Sequence, residues 1–195
     1  PAAGDGLRIV PRRLSLREER EAARALRGSV LRQEVFALDG DPERGAHPYT
    51  VSERSHVVTW LQPSVRRWDH HDRDVGPPAV FFVHPVEQLD CHYERRSDDP
   101  RIAHQMTLAV DLYGNVLRAA SIGYGRRRPD LDPDDIMVEG DHHRQGRTLI
   151  TYVVHRHTNA IDRPADIDGY RTPVPADVRT VELTGTALAD SKALT

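Results

Sequence analysis

Residues 102–125 read IAHQMTLAVDLYGNVLRAASIGYG. Ile102, Met106, Leu108, Val110 and Leu112 fall on every second position, and only His104 breaks the apolar series. Ala103, Gln105, Thr107, Ala109 and Asp111 fall between them. Alternation with a period of two, kept up over such a run, is the pattern of a β-strand with one oily face. Tyr113-Gly114-Asn115 follows, and Gly and Asn can take the positive φ that a tight reversal needs. A second β-compatible run, Val116 to Tyr124, then returns. The stretch predicts a long hairpin turned at Asp111, Gly114 and Asn115, and a long hairpin needs neighbours to cover it. Those three residues are the candidate site, as a structural turn.

Working outward, the neighbours are also β. Leu89, Cys91 and Tyr93 alternate with Gln88, Asp90, His92 and Glu94, the pattern of a half-buried strand. Ala79–Val83 reads as a short apolar strand closed by His84-Pro85. Before it, Pro63–Pro78 is so charged that it reads as an exposed loop ended by Gly76-Pro77-Pro78. Strands are expected over Val30–Leu38 and Glu53–Gln62, and downstream over Arg147–Thr158 and Val178–Leu183. Asn159–Pro175 reads as loop. One helix is expected, Leu14–Gly28. Ser15 and Glu18 form a capping box, Leu16, Ala23 and Leu26 make a narrow apolar face, and Gly28 suits a left-handed stop. The fold class is therefore mainly β: long antiparallel hairpins in a curved sheet, with one short N-terminal helix. The expected division is an extended segment and surface helix over 1–28, a β-rich domain over 29–187 and a tail over 188–195.

Composition narrows the function. At 195 residues the chain can bury a real core. A net charge of −3 gives no bulk attraction to nucleic acid or anionic lipid. No apolar run approaches the length that spans a bilayer, and PAAGDGLRIVPRR carries no apolar signal-peptide region. Both ends are polar, so the chain reads as a piece of something longer. The single cysteine, Cys91, excludes an internal disulfide.

Each reactive-looking group has a plainer reading beside it. His155 and His157 sit two apart on one expected strand, a spacing that zinc proteins use, and His142-His143 lie in the loop before. With no obvious third and fourth ligand, surface imidazoles are the simpler reading, so no metal or other cofactor is expected. Asp130-Leu131-Asp132-Pro133-Asp134 opens like a calcium loop but has Asp135 where Gly is needed and Asp141 in place of the final Glu. Ser121 lies outside a nucleophile elbow, and Cys91 sits among alternating apolar residues as packing. Arg126-Arg127-Arg128 is followed by carboxylates that screen it within a Debye length of about 8 Å. No catalytic residue is expected.

The longer blocks carry a resemblance. EEREAARALRGS (18–29), LRGSVLRQEVFALDG (26–40), HPYTVSE (47–53), the run 81–127, RTLITYVV (147–154), TNAID (158–162) and YRTPVPADVRTVELTG (170–185) are similar to the B component of bacterial Tc insecticidal toxin complexes. The likeness falls in its SpvB/TcB-like middle/C-terminal region, which leads into the RHS/YD-repeat shell. Asp111-Leu112-Tyr113-Gly114-Asn115 fits the core of such a repeat, although Val110 stands where the repeat favours Tyr.

The resemblance implies a non-enzymatic segment of a secreted, extracellular toxin complex. The segment would be wall for a shell enclosing the toxic C-terminal segment of the C component. It implies the C component as shell partner and the A component as partner of the rest of the subunit, with no nucleic acid and no membrane insertion by this segment. The alternatives are a β-rich carbohydrate- or protein-binding module of another RHS-type surface protein, and a metal enzyme built on the four histidines.

Overall fold

The computed structural model describes residues 13–42, 44–71, 73–95, 98–127 and 139–185. The extended stretch expected over 1–12, Arg128, the acidic loop Asp130–Asp135 and the 188–195 tail lie outside the described residues. In chain order the elements are helix α1 (Leu16–Ala25) and strands β1 (Arg32–Val35), β2 (Thr50–Gln62), β3 (Val80–His92), β4 (Arg101–Val110) and β5 (Val116–Gly123). Helix α2 (Glu139–Gln145) follows, then strands β6 (Leu149–His157), β7 (Ile161–Asp162), β8 (Tyr170–Arg171) and β9 (Pro175–Leu183). Seven strands form one open sheet in the order β1-β2-β3-β4-β5-β6-β9, and β7 and β8 pair separately. Every register described is antiparallel. The mainly β class holds.

The chain divides into two compact units, Pro1–Val30 with His56–Pro85 and Leu31–Ser55 with Val86–Thr195. In the first, Ser15 caps α1, and the Glu18 carboxylate accepts from the Ser15 backbone N–H at 2.9 Å and its hydroxyl at 2.8 Å. Gly28, at φ +87°, takes the left-handed position beyond the helix end. The expected apolar face is corrected: Leu16 is 77% exposed, whereas Glu18 is 4% exposed. A carboxylate can be buried there because the cap and the Ser64 N–H, at 3.2 Å from Oε1, satisfy its oxygens.

The stretch 63–78 is an exposed loop, as expected, and it folds back on itself as a small braced hairpin. Val65 N–H donates to Pro77 O, Val75 N–H to Arg67 O and Asp69 N–H to Arg73 O, with Trp68 opposite Asp74. The charges that suggested solvation build it. Asp69 accepts from the backbone N–H of His71 and of Arg73, each at 2.9 Å. Asp74 accepts from the Arg67 and Gly76 N–H groups, each at 3.1 Å. Helix α1 holds its base: Arg17 pairs with Asp74, and Ala79 N–H donates to Glu21 at 2.7 Å.

Three strand readings are also corrected. The two runs flanking His84-Pro85 are one strand, β3, because proline's fixed φ suits extended backbone and costs the ladder one donor. Strand β1 is shorter than expected, and β9 begins at Pro175, inside the expected loop. His142 and His143 lie on a second helix, α2, which the expected single helix did not include.

In the second unit, Glu94 and Arg95 both take positive φ, at 52° and 65°. The strain is held by contacts. Tyr93 and Glu94 N–H donate to Tyr49 O, and Arg95 N–H donates to Pro48 O. The Arg95 guanidinium forks onto Asp39 at 2.5 and 3.2 Å and lies 5.6 Å over the Tyr49 ring.

Candidate functional site

Directly opposed residues in an antiparallel sheet share a face, so the registers of the second unit can be read as rows. One row runs Leu89, His104, Ile122, Ile150, Leu183 across β3, β4, β5, β6 and β9. The next on that face runs Glu87, Met106, Ala120, Tyr152, Val181. Cys91, Ala120, Ile122 and Ile150 are buried there, so this is the oily side. His104, the break in the apolar series, stacks on Tyr124 with its Nδ1 3.2 Å from the hydroxyl. The histidine is thus accommodated in an apolar row by a polar partner of its own.

The other face is polar. Its central row is Gln88, Gln105, Ser121, Thr151, Glu182. Near one end, Asp90 accepts from the Ser52 hydroxyl at 2.7 Å and from Gln88 Nε2 at 2.8 Å. Burial pushes the Asp90 carboxyl up, but these two hydrogen bonds, with Arg54 and His92 nearby, hold it below its ordinary value. This network is not legible in any single strand, since Ser52 lies on β2 and Asp90 on β3.

The hairpin turn spans residues 111–115. Asp111 Oδ1 accepts the N–H groups of Tyr113 and Asn115, and Oδ2 accepts Asn115 Nδ2, each at 2.9 Å. Asp111 N–H donates to Asn115 O at 3.0 Å, and Gly114 takes φ +83°. The alternation of β4 does not run cleanly into this turn. The register goes from Thr107↔Ala119 to Ala109↔Arg118 and then to Val110↔Val116. Leu108 is therefore extra on β4 and Leu117 extra on β5, a compensating pair of bulges. Leu108 is correspondingly exposed, and Leu112 lies exposed in the turn rather than extending the oily face.

The remaining candidates separate. His155 stands opposite Val178 and His157 opposite Pro175, whereas His142 and His143 lie on α2. Among the described residues no three His, Cys, Asp or Glu side chains come together as metal ligands. The Cys91 thiol is buried in the oily face, and burial raises its pKa against a hydrogen bond with Tyr93. A thiol held protonated in this way is a poor nucleophile. Ser121 is an exposed member of the polar row. Arg127 N–H donates to Asp99 at 3.0 Å, and Arg126 N–H donates to Gln145 O at 2.8 Å. That backbone closes the exit of β5 onto the end of α2.

A family model, the insecticide toxin TcdB middle/C-terminal region, matches residues 21–169. The chain belongs to the TcdB middle/C-terminal family. The family match begins inside α1, takes in the helix-anchored hairpin, the central hairpin and α2, and ends just before β8. Solved structures show the same fold. The crystal structure of TcdB2-TccC3 matches with a TM-score of 0.64 at 24% identity, over 87% of this chain and 8% of that chain. TcdB2-TccC3 without its hypervariable C-terminal region matches at 0.59 and 25%, over 82% of this chain and 7% of that one. A Photorhabdus luminescens Tc holotoxin pore matches at 0.61 and 24%, over 88% and 8%. No curated protein sequence matches the chain. The chain thus spans less than a tenth of the length of the solved chains it resembles.

Proposed function

We propose that the chain is a non-enzymatic wall segment of a Tc toxin B-type subunit. It forms part of a shell that encloses the toxic C-terminal segment of a C-type partner in a secreted complex. The observation that carries this reading is the open sheet with two chemically distinct faces, in a chain of the TcdB family. Strands of 13 residues reach about 40 Å, and backbone ladders between such strands give a stiff surface without a reactive group.

The edges suit a wall as well. The end strands are β1, exposed throughout, and β9, exposed at all but Val181. Both carry charge, Arg32 and Glu34 on one and Asp177, Arg179 and Glu182 on the other, which discourages indiscriminate pairing of a bare edge. The buried, protonated Cys91 fits a segment that does no chemistry. The carbohydrate- or protein-binding alternative has no observation of its own in its favour.

The test is co-purification of the intact subunit with its C-type partner, followed by limited proteolysis. A complex in which the partner's C-terminal segment resists digestion until the complex is unfolded is expected. Failure to form a complex, or digestion of the segment at the rate seen without the subunit, would contradict the wall reading.

A further inference from the structure

The first compact unit holds two histidines that the wall reading does not use. His56 stands on β2 and His84 on β3, and these strands are hydrogen-bonded neighbours. We propose that this pair makes the unit acid-labile: it is stable with both rings neutral and loosens when they are protonated in mildly acidic solution. The proposal stands apart from the wall reading and does not need it.

The geometry makes charge on either ring costly. Both side chains are half-buried, and among the described residues the Nδ1 atom of each is buried with no hydrogen-bond partner. A neutral imidazole can leave Nδ1 as a bare lone pair, with its proton on Nε2. An imidazolium carries N–H at both nitrogens, so protonation sets a charged donor where no acceptor waits. The rings are also close enough for the His56 charge to act on His84. A proton on one ring therefore opposes a proton on the other.

The unit's other charges do not offset these costs. Its described carboxylates are Glu18, Glu19, Glu21, Asp69 and Asp74. On α1, Glu18 accepts from Ser15 and the Ser64 N–H, Glu21 pairs with Arg17 and accepts the Ala79 N–H, and Glu19 is exposed. In the braced hairpin, Asp69 holds Arg73, and Asp74 holds Arg17 and two backbone N–H groups. The unit's remaining described arginines are exposed, as are His70 and His71, which lie ring to ring at 4.0 Å. Arg54, two residues before His56 on β2, is itself positive, and its charge acts on Asp90. Phe82 stacks on His84 at 5.3 Å between centroids, but a ring face is a weaker partner for a cation than a carboxylate is.

The His84 pKa moves accordingly. Burial lowers it first, and the His56 charge lowers it further. A histidine whose folded-state pKa lies below the unfolded value of about 6.5 contributes stability that is complete above that value. The contribution is lost as pH falls from there through the lower folded value. The loss therefore begins well above the range in which ordinary carboxylates titrate.

Amide hydrogen exchange read by mass spectrometry tests this on the intact subunit, at about pH 7.5 and about pH 5.5, either side of the unfolded histidine value. Rates are corrected for the intrinsic pH dependence of exchange. Peptides from α1 and from residues 56–62 and 80–85 should lose protection several-fold at the lower pH, while peptides from β4 and β5 keep theirs. The double variant His56→Gln with His84→Gln should show no such difference between the two pH values. Unchanged protection in the wild type, or the same loss in the double variant, would overturn the proposal. Should the double variant fail to fold, exchange of the imidazole C2 hydrogen in the wild-type subunit reads each ring's titration directly. His84 titrating below the ordinary histidine value is then the expected result, and titration at or above that value would overturn the proposal.

Discussion

Replacing Gly125 with alanine should cost about 3 kcal/mol and lower the melting temperature by about 10 °C. The residue sits where β5 leaves the sheet. A Cβ built there lies 2.1 Å from the Gly146 carbonyl oxygen and 2.4 Å from its carbon, and both are backbone atoms that cannot swing away. The two strands of chain are tied on either side of that point. Gly125 N–H reaches Thr148 Oγ1 at 3.2 Å, Arg126 N–H reaches Gln145 O, and Gly146 N–H reaches His142 O at 3.0 Å. Relieving the overlap therefore means breaking one of these bonds. Gly123→Ala is the matched control: nothing lies within 4 Å of its added Cβ, so a change within about 0.5 kcal/mol is expected. Equal melting temperatures for the two variants would contradict the close approach at Gly125.

Asp111→Ala should cost about 2 kcal/mol, because three donors lose a charged acceptor at once. The effect should also depend on pH. Burial pushes the Asp111 carboxyl up, but the Asn115 side chain and N–H, the Tyr113 N–H and the nearby His157 outweigh it, so the folded-state pKa is below the ordinary value. A depressed carboxyl stabilises the fold fully above the unfolded-state value of about 3.9, and that contribution is lost as pH falls through the lower folded value. Asp111→Asn keeps an acceptor and should lose less stability than Asp111→Ala at neutral pH. Urea midpoints from neutral to strongly acidic pH measure both effects. The wild type should lose stability relative to Asp111→Asn only at the acid end. A parallel pair of curves would mean that the carboxylate does not brace the turn.

The central hairpin was legible in the sequence because its information is local. The alternation, the Asp and the Gly-Asn pair all fall within one short run. The bulges at Leu108 and Leu117 were not legible, because they are set by how two strands align and not by either strand alone. Pro85 reads as a stop when seen by itself, yet extended backbone accommodates it.

The stretch 63–78 is an exposed loop, as expected, but its internal bracing was not legible. Its charges looked like a solvated surface, but Asp74 binds its own hairpin and Arg17, a residue 57 positions earlier. Such pairings are invisible to any local pattern. The same holds for the buried carboxylate of Glu18, which a helical wheel places on no apolar face.

For the candidate site, the members of the polar rows were visible as alternating positions, but their alignment into rows needed the registers. The family blocks supplied the role that no single residue type announced.

The most direct measurement is an electron cryo-microscopy structure of the intact subunit bound to its C-type partner. Outer edges of β1 and β9 hydrogen-bonded to further strands of a closed wall are the expected result. A segment hanging outside any shell, with both edges bare and a small molecule held among its ionisable side chains, would contradict it.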